Sequence, residues 1–317
     1  MQLKRYTIGF VLLLSLAACE TVVDIDLPER ESKLTLNALF GPDSIMNVSL
    51  YPSKEALESG NYLAIENATI TVSGTDGQVA TTNKLGIDVF TLESVYKLAI
   101  KAKAGVVYTI TASAEGYAPV VSVTSIPEPV DIVRVDTGTV FTDGYEEGQL
   151  SITLTDPSGI GNLYELKFYV LIYYPDTLDG KLIYYPTTQE VYAYSRNNDF
   201  FNSDYSSELI FTDELFDGKT YTALVNYYNE FKDGGGDTTI VTNYLSSYLV
   251  TELRTLSTDY FAFKSSYSRY QFSNGDPFAQ PVQVYDNIDG GFGIFAGFNA
   301  SHDTLQLTQG IFPSPLD

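Results

Sequence analysis

From residue 34 onward the sequence is a succession of short β-forming runs, each closed by turn chemistry, and this leaves few folds open except sheets. Thr69-Ile70-Thr71-Val72 and Tyr108-Thr109-Ile110-Thr111-Ala112 alternate polar and apolar residues. That is the period of a strand with one face in a core and the other in water. Residues 34–40, 46–51, 68–73, 78–82, 97–102, 107–114 and 120–125 read the same way. Gly-Pro-Asp at 41–43, Thr-Asp-Gly at 75–77 and Glu-Gly-Tyr at 115–117 supply the bends between them. Tyr and Phe, 25 and 18 in number, add to the β-forming content.

About seven strands in roughly 95 residues is the pattern of an immunoglobulin-like β-sandwich, expected over 33–126. Ile126-Pro127-Glu128-Pro129 closes it, because prolines lack the ladder donor and avoid central strands. Beyond it, 130–317 is expected to form a larger, aromatic-rich β domain. Its strand runs are 133–140, 149–155, 164–174, 181–187, 190–195, 221–231, 240–253 and 282–285, with Asp179-Gly180 as a hairpin turn. One segment departs from the β period. Ser257 can cap Thr258-Asp259-Tyr260, and Leu256, Tyr260, Phe263, Tyr267 and Tyr270 recur at spacings of 4, 3, 4 and 3. This predicts one helix near 257–272, packed on the second sheet by its aromatic stripe. The expected fold class is all-β (mainly β) with that single helix.

The N-terminus has a different character. Lys4 and Arg5 precede an apolar run over 6–16, too short for a bilayer crossing of about 20 residues. The order Leu16-Ala17-Ala18-Cys19 resembles the lipobox of bacterial lipoprotein precursors, in which the cysteine is acylated before cleavage. The expectation is a signal peptide over 1–18, a lipidated tether over 19–32, and attachment to a membrane through acyl chains on Cys19. Two or three chains hold firmly where one does not. Cys19 is the single cysteine, which excludes a disulfide framework, a thiol enzyme and a thiolate metal site.

Charge excludes further classes. Against 18 Lys+Arg stand 40 Asp+Glu, a net charge of −22, and loss of residues 1–18 with Lys4 and Arg5 makes it −24. Such a field repels phosphate backbones, so no nucleic-acid partner is expected. His302 is the only histidine, so histidine metal clusters are out and any Ser-His-Asp triad would have to use it. With no nucleophile elbow in the chain, it reads as a surface histidine. Paired carboxylates are diagnostic of nothing in so acidic a sequence. The Asp-Gly loops at 233–237 and 286–290 lack the alternating acids and closing Glu of an EF-hand and read as loop formers, with calcium left open. Gly290, Gly291, Gly293 and Gly297 match no phosphate fingerprint and read as a tight turn and close backbone packing. No catalytic, metal-ligating or cofactor-binding residue is expected, no cofactor, and no enzyme activity. The candidate interaction surface is aromatic: Tyr173, Tyr174, Tyr184, Tyr185, Tyr192 and Tyr194, with Phe200, Phe201 and Tyr205 nearby. Neighbours in a strand face opposite ways, so rings such as Tyr173 and Tyr174 cannot share one core. Those facing outward meet a partner, water, or the covering helix, and tyrosine suits a partner well.

Several segments together carry a resemblance. They are Val23-Asp-Ile-Asp-Leu-Pro28, Leu34-Thr-Leu-Asn-Ala-Leu-Phe40 with Pro42-Asp43-Ser44, and Asp156-Pro157 with Asn162-Leu-Tyr164. Phe211-Thr-Asp-Glu-Leu-Phe-Asp-Gly-Lys219, Leu253-Arg-Thr-Leu-Ser257, Asn274-Gly-Asp-Pro-Phe278 and the closing run from Pro281 to Phe298 complete the set. With the lipobox these resemble an uncharacterised domain-of-unknown-function lipoprotein family of Bacteroidota, over nearly all of the chain after Cys19. Its members are often encoded beside TonB-dependent outer-membrane receptors. The resemblance implies a lipid-anchored outer-membrane protein that acts as a binding or accessory component of TonB-dependent nutrient uptake, with such a receptor as partner. Two alternatives stay open: a structural or adhesive cell-surface protein, and a glycan or peptide hydrolase. Surface export in this group resembles a rule based on acids just after the cysteine. Here Glu20 is followed by Thr21-Val22-Val23 before Asp24 and Asp26, so the periplasmic and surface leaflets both stay open.

Overall fold

In the first strand, β1 (Leu34–Phe40), Leu34, Leu36, Ala38 and Phe40 are buried while Thr35, Asn37 and Leu39 point the other way. The same alternation recurs along the chain and builds layers. The structure, a computed structural model, describes residues 31–54, 60, 62–88, 91–142, 144–159, 161–178, 181–196, 200, 208–227, 246–273 and 278–308. Cys19, the apolar leader, the Asp179-Gly180 turn, the 233–237 loop and the Asn274–Pro277 helix stop lie outside them.

Seven further strands follow β1 in the first half: β2 (Met46–Pro52), β3 (Thr69–Gly74), β4 (Val79–Thr82), β5 (Leu85–Ile87), β6 (Ser94–Leu98), β7 (Val107–Ser113) and β8 (Val120–Ser125). They form two layers, β1-β2-β6-β5 and β4-β3-β7-β8, which close on one apolar core that runs from Leu34 to Ile126 and takes in Ile288 and Phe295. The second half contributes β9 (Ile132–Thr142), β10 (Tyr145–Thr155), β11 (Leu163–Leu178), β12 (Lys181–Glu190), β13 (Ala193–Tyr194), β14 (Glu208–Thr212), β15 (Thr220–Tyr227) and β16 (Ser246–Leu256). Here β13-β15-β10-β9 faces β12-β11-β16, with β14 also on β11, over a second core that begins at Val130. The protein is mainly β, with one helix among the described residues, α1 (Thr258–Ser273).

The last strand, β17 (Phe292–Thr308), unites the halves. Its first part pairs in parallel with β1, Thr35 beside Phe292 and Phe40 beside Gly297. Its second part pairs antiparallel with β16, from Leu256 beside Phe298 to Ser247 beside Thr308. Among the described residues one nine-stranded sheet therefore runs through both halves, and those from Ser32 onward form one compact unit. The boundary at Ile126-Pro127-Glu128-Pro129 separates two cores and does not separate two sheets. Where the prolines leave the ladder without donors, side chains take over. Asn299 donates its amide to the Pro127 carbonyl (3.1 Å), and Ser301 donates to the Val130 carbonyl (2.9 Å).

The glycines of β17 explain its position. A Cβ at Gly297 would meet the Ser125 carbonyl oxygen at 2.5 Å, and one at Gly293, whose φ is +112°, would collide with the Leu36 carbonyl. Only glycine lets this strand lie against both β1 and the end of β8. No strand was expected beyond 285, because the glycine-rich run shows no clear alternation. Two other expectations change. The strand near 97–102 is Ser94–Leu98, since the Tyr96 ring is the buried one: its hydroxyl donates to the Ile65 carbonyl (2.7 Å) and accepts from the Ala68 N–H (3.0 Å). Residues 282–285 form no strand; the Tyr285 N–H bonds the Ser266 hydroxyl of α1 instead of a neighbouring strand (2.8 Å).

Ser257 caps α1 as its residue type predicts, accepting from the Tyr260 N–H (3.3 Å). Asp259 in the first turn accepts hydrogen bonds from Thr124 (3.0 Å) and Tyr285 (2.7 Å), tying the helix to β8 and the closing loop. The helix lies on the face of the long sheet opposite both cores, with Tyr260 and Phe263 against Ile210, Leu256, Ile294 and Ala296. The aromatic stripe is buried only in its first half. Tyr267 and Tyr270 are 41% and 40% exposed, and the deep positions further along are Ser265 and Ser266. At Ser266 the helix meets the segment that carries Tyr285, whose N–H donates to the serine hydroxyl.

Candidate functional site

Of the six tyrosines singled out by sequence, the five whose side chains are described take different faces and sheets. Among the described residues β16 accompanies β11 as far as Tyr173, beside Ser246, and β12 pairs with β11 from Tyr169 to Leu178. Tyr173 stands opposite Pro186, Tyr174 opposite Tyr185, and Tyr184 opposite Pro175. Paired residues share a face, so Tyr173 and Tyr184 lie on the helix-bearing side of the sheet and Tyr185 on the core side. The Tyr173 ring meets Tyr248 edge-on with centroids 6.3 Å apart. Tyr185 and Tyr192 are 48% and 58% exposed. Tyr194 is tied into the smaller sheet: its hydroxyl donates to Glu147, and the Arg196 guanidinium lies 5.9 Å from its ring. Phe200 is buried against Phe211, while the Tyr174 side chain, Phe201 and Tyr205 lie outside the described residues.

Against α1 the sheet carries a buried charge network. Glu165 of β11 has no exposed side-chain surface, and it faces Arg254 Nη1 at 3.2 Å and Lys264 Nζ at 3.5 Å. Lys264 also pairs with Glu208, Glu208 with Lys167 (2.8 Å), and Arg254 with Glu252 (2.6 Å). Arg254 further donates to the Tyr260 hydroxyl (3.2 Å) and stacks 4.2 Å from the Phe298 ring. Burial raises the Glu165 carboxyl above its ordinary range, against the pull of Lys264 and Arg254. Burial would raise Glu208 as well, but Lys264 and Lys167 outweigh it and hold that carboxyl at about 2. Burial and the Glu165 charge push Tyr260 up to about 12. His302, exposed on β17, stands beside Glu252 with Nε2 3.9 Å from its carboxylate.

A cleft of about 300 Å3 opens next to the network, lined by Lys167, Tyr169, Thr188, Glu190 and Glu252. Glu252 is engaged by Arg254 and Lys167 by Glu208. The paired charges fasten α1 to β11, β14 and β16, which is the arrangement of an internal tie. Sequence reading missed these residues. A usable signal was present in Leu163-Tyr-Glu-Leu-Lys-Phe168, where charges alternate with apolar residues in a strand covered on both sides.

Among the described residues, one group of acids has the spacing to share a cation. Carboxylate oxygens of Asp156, Asp213 and Asp217 lie within 4.8 Å of one another. Asp156 accepts from the Asn162 amide (3.1 Å), the Tyr164 hydroxyl and the Gly218 N–H (2.9 Å). Asp213 accepts from the Asn162 N–H (2.7 Å) and Asp217 from the Gly159 N–H (2.8 Å). Burial raises the Asp213 carboxyl, and the neighbouring Asp156 and Asp217 add to the rise against the Asn162 hydrogen bond. Three carboxylates fall well short of the six to eight oxygens of a calcium shell. The 286–290 loop is occupied otherwise: the Asn287 amide exchanges two hydrogen bonds with the backbone of Phe295 (2.8 and 2.9 Å).

This trio unites two segments that carry the family resemblance, Asp156-Pro157 with Asn162 and the run from Phe211 to Lys219, while the closing segment becomes β17. No helix among the described residues is long and apolar enough to cross a membrane. No curated protein matches the chain in sequence. Residues 20–304 match the family described as Domain of unknown function (DUF4249), and the chain belongs to that family.

Proposed function

We propose that the protein is a lipid-anchored outer-membrane lipoprotein that binds ligand without converting it, as an accessory to a TonB-dependent uptake receptor. The observation that carries this reading is Leu16-Ala17-Ala18-Cys19 after a charged, apolar leader, followed by a short tether into β1 at Leu34. The pairing of Lys167 with Glu208 and of Arg254 with Glu252 beside the 300 Å3 cleft supports a binding role over a catalytic one. The strand order β1-β2-β6-β5 over β4-β3-β7-β8 supports reading the first half as an immunoglobulin-like sandwich, a frequent docking unit.

Intact mass of the protein extracted in detergent tests the anchor. A mature chain starting at Cys19 with added acyl mass is expected, and Cys19→Ala should release the protein from membranes. Affinity purification of the wild type should recover a TonB-dependent receptor. An unmodified N-terminus past residue 19 sinks the anchor. Recovery of self-associated protein alone favours the structural or adhesive reading instead.

A further inference from the structure

The outer face of the long sheet holds a second and larger concavity in the first half, a groove of about 930 Å3. Its floor is set by register. Thr35 of β1 stands between Phe292 of β17 and Tyr51 of β2, so one row crosses three strands. Strands lie about 4.8 Å apart, which places the two aromatic residues one spacing to either side of the threonine. Asn37 lies one step further along the same face, and Tyr62 and Ser94 belong to the walls.

The side-chain hydroxyls of Thr35, Tyr51, Tyr62 and Ser94 and the amide of Asn37 have no hydrogen-bond partner among the described residues. Each of these groups both donates and accepts. The charges at the rim are of both signs: Lys33 lies 5.5 Å over the Phe292 ring, Lys54 lies 4.3 Å over Tyr62 and donates to the Gly60 carbonyl (2.6 Å), and Glu93 lines the wall beside Ser94. No ionised side chain belongs to the floor row, in contrast to the Lys167 and Glu252 cleft on the same face.

We propose that this groove binds a neutral oligosaccharide. An anion would approach a body of net charge −22, and the groove's own charges, Lys54 and Glu93, are of opposite sign at its walls and leave the floor row uncharged. An extended peptide is recognised by main-chain pairing at a sheet edge. β1 offers none in the groove, because it is paired on both sides, with β17 and β2, and past the end of the β2–β6 pairing the Leu50 carbonyl of β2 is taken by the Ile65 N–H. A sugar needs what the groove has: uncharged groups that donate and accept toward its hydroxyls, beside aromatic surface for its C–H faces. The volume lies within the range of ordinary ligand sites.

Affinity electrophoresis of the full-length lipoprotein in mild detergent tests this, in native gels cast with laminarin, xylan, mannan or amylopectin, and with polygalacturonate as the anionic control. Retardation is expected in at least one of the neutral gels. Phe292→Ala and Asn37→Ala, both at exposed positions, should each weaken retention about tenfold with the thermal midpoint unchanged. Thr35→Val, which keeps the strand's shape and removes one hydroxyl, should weaken it less. Migration unaffected by all four neutral polysaccharides overturns the proposal. So does retention that survives the three substitutions, or retention confined to gels cast with polygalacturonate. None of these results depends on Cys19 or on a receptor, so the groove and the anchor fail separately.

Discussion

Glu165 and Glu208 lie a few ångströms from the same ammonium of Lys264, and their environments drive them in opposite directions. Glu208 is held at about 2, against an ordinary 4.5. A depressed carboxyl contributes stability that is present above 4.5 and lost as pH falls toward 2. For Glu165, raised by burial, the sign reverses: its contribution is present below 4.5 and lost as pH rises. The wild-type curve sums the two, so the readout is a difference between proteins. Glu208→Gln should lower stability at pH 7 by roughly 2 kcal/mol, with the gap closing between pH 4.5 and 2. Urea unfolding across that range checks it, and parallel curves for the two proteins would remove the linkage. Asp213 gives a prediction of the other sign. Its raised carboxyl ionises at a cost to folding, so Asp213→Asn, which keeps an oxygen for the Asn162 N–H, should stabilise by up to about 1 kcal/mol at pH 7. The gain should vanish below pH 3.8. A loss at pH 7 would show that the third negative charge is needed there.

At the scale of elements, β17 is the sharpest test of the packing argument. Gly297→Ala places a methyl 2.5 Å from the Ser125 carbonyl, a backbone atom fixed by the β7–β8 ladder, and should destabilise by about 2–4 kcal/mol. Gly161→Ala, with open space around it, should change stability by no more than about 0.5 kcal/mol. Equal melting of the two variants would mean that β17 can shift away from β8. The contrast also shows what a sequence can carry. Strands such as β3 and β7 were legible because one face is buried and one is wet, and the α1 cap because Ser257 acts within one turn. β17 was not legible, because its near neighbours β1 and β8 come from the other end of the chain and its glycines erase the period. The charge network escaped for a related reason: Glu165, Glu208, Arg254 and Lys264 sit on four different elements. The tyrosine pairs were legible as residues that cannot share a core. The faces they take depend on the register in which β12 pairs with β11.

For the molecule as a whole, the two cores and the single sheet make opposite forecasts. A sandwich with its own core from Leu34 to Ile126 suggests that 32–126 folds alone. That core, however, also contains Ile288 and Phe295, and the Phe295 ring stacks on Phe40 with centroids 5.1 Å apart. Removing the rest of the chain also strips β17 from β1 and leaves Leu36 and Ala38 on an open edge. Losing one buried aromatic costs about 3–5 kcal/mol, which at this size is about 15 °C or more in melting temperature. The fragment 32–126 should therefore melt well below the full chain or fail to show a cooperative transition, and the full chain should unfold in one step. Appending residues 286–298 to the fragment through a flexible linker should restore much of the loss, since it returns Phe295, Ile288 and the parallel partner of β1 together. Calorimetry decides between the forecasts. Two well-separated transitions in the full chain, with the lone fragment melting at one of them, would make β17 an appendage and the first half an independent module.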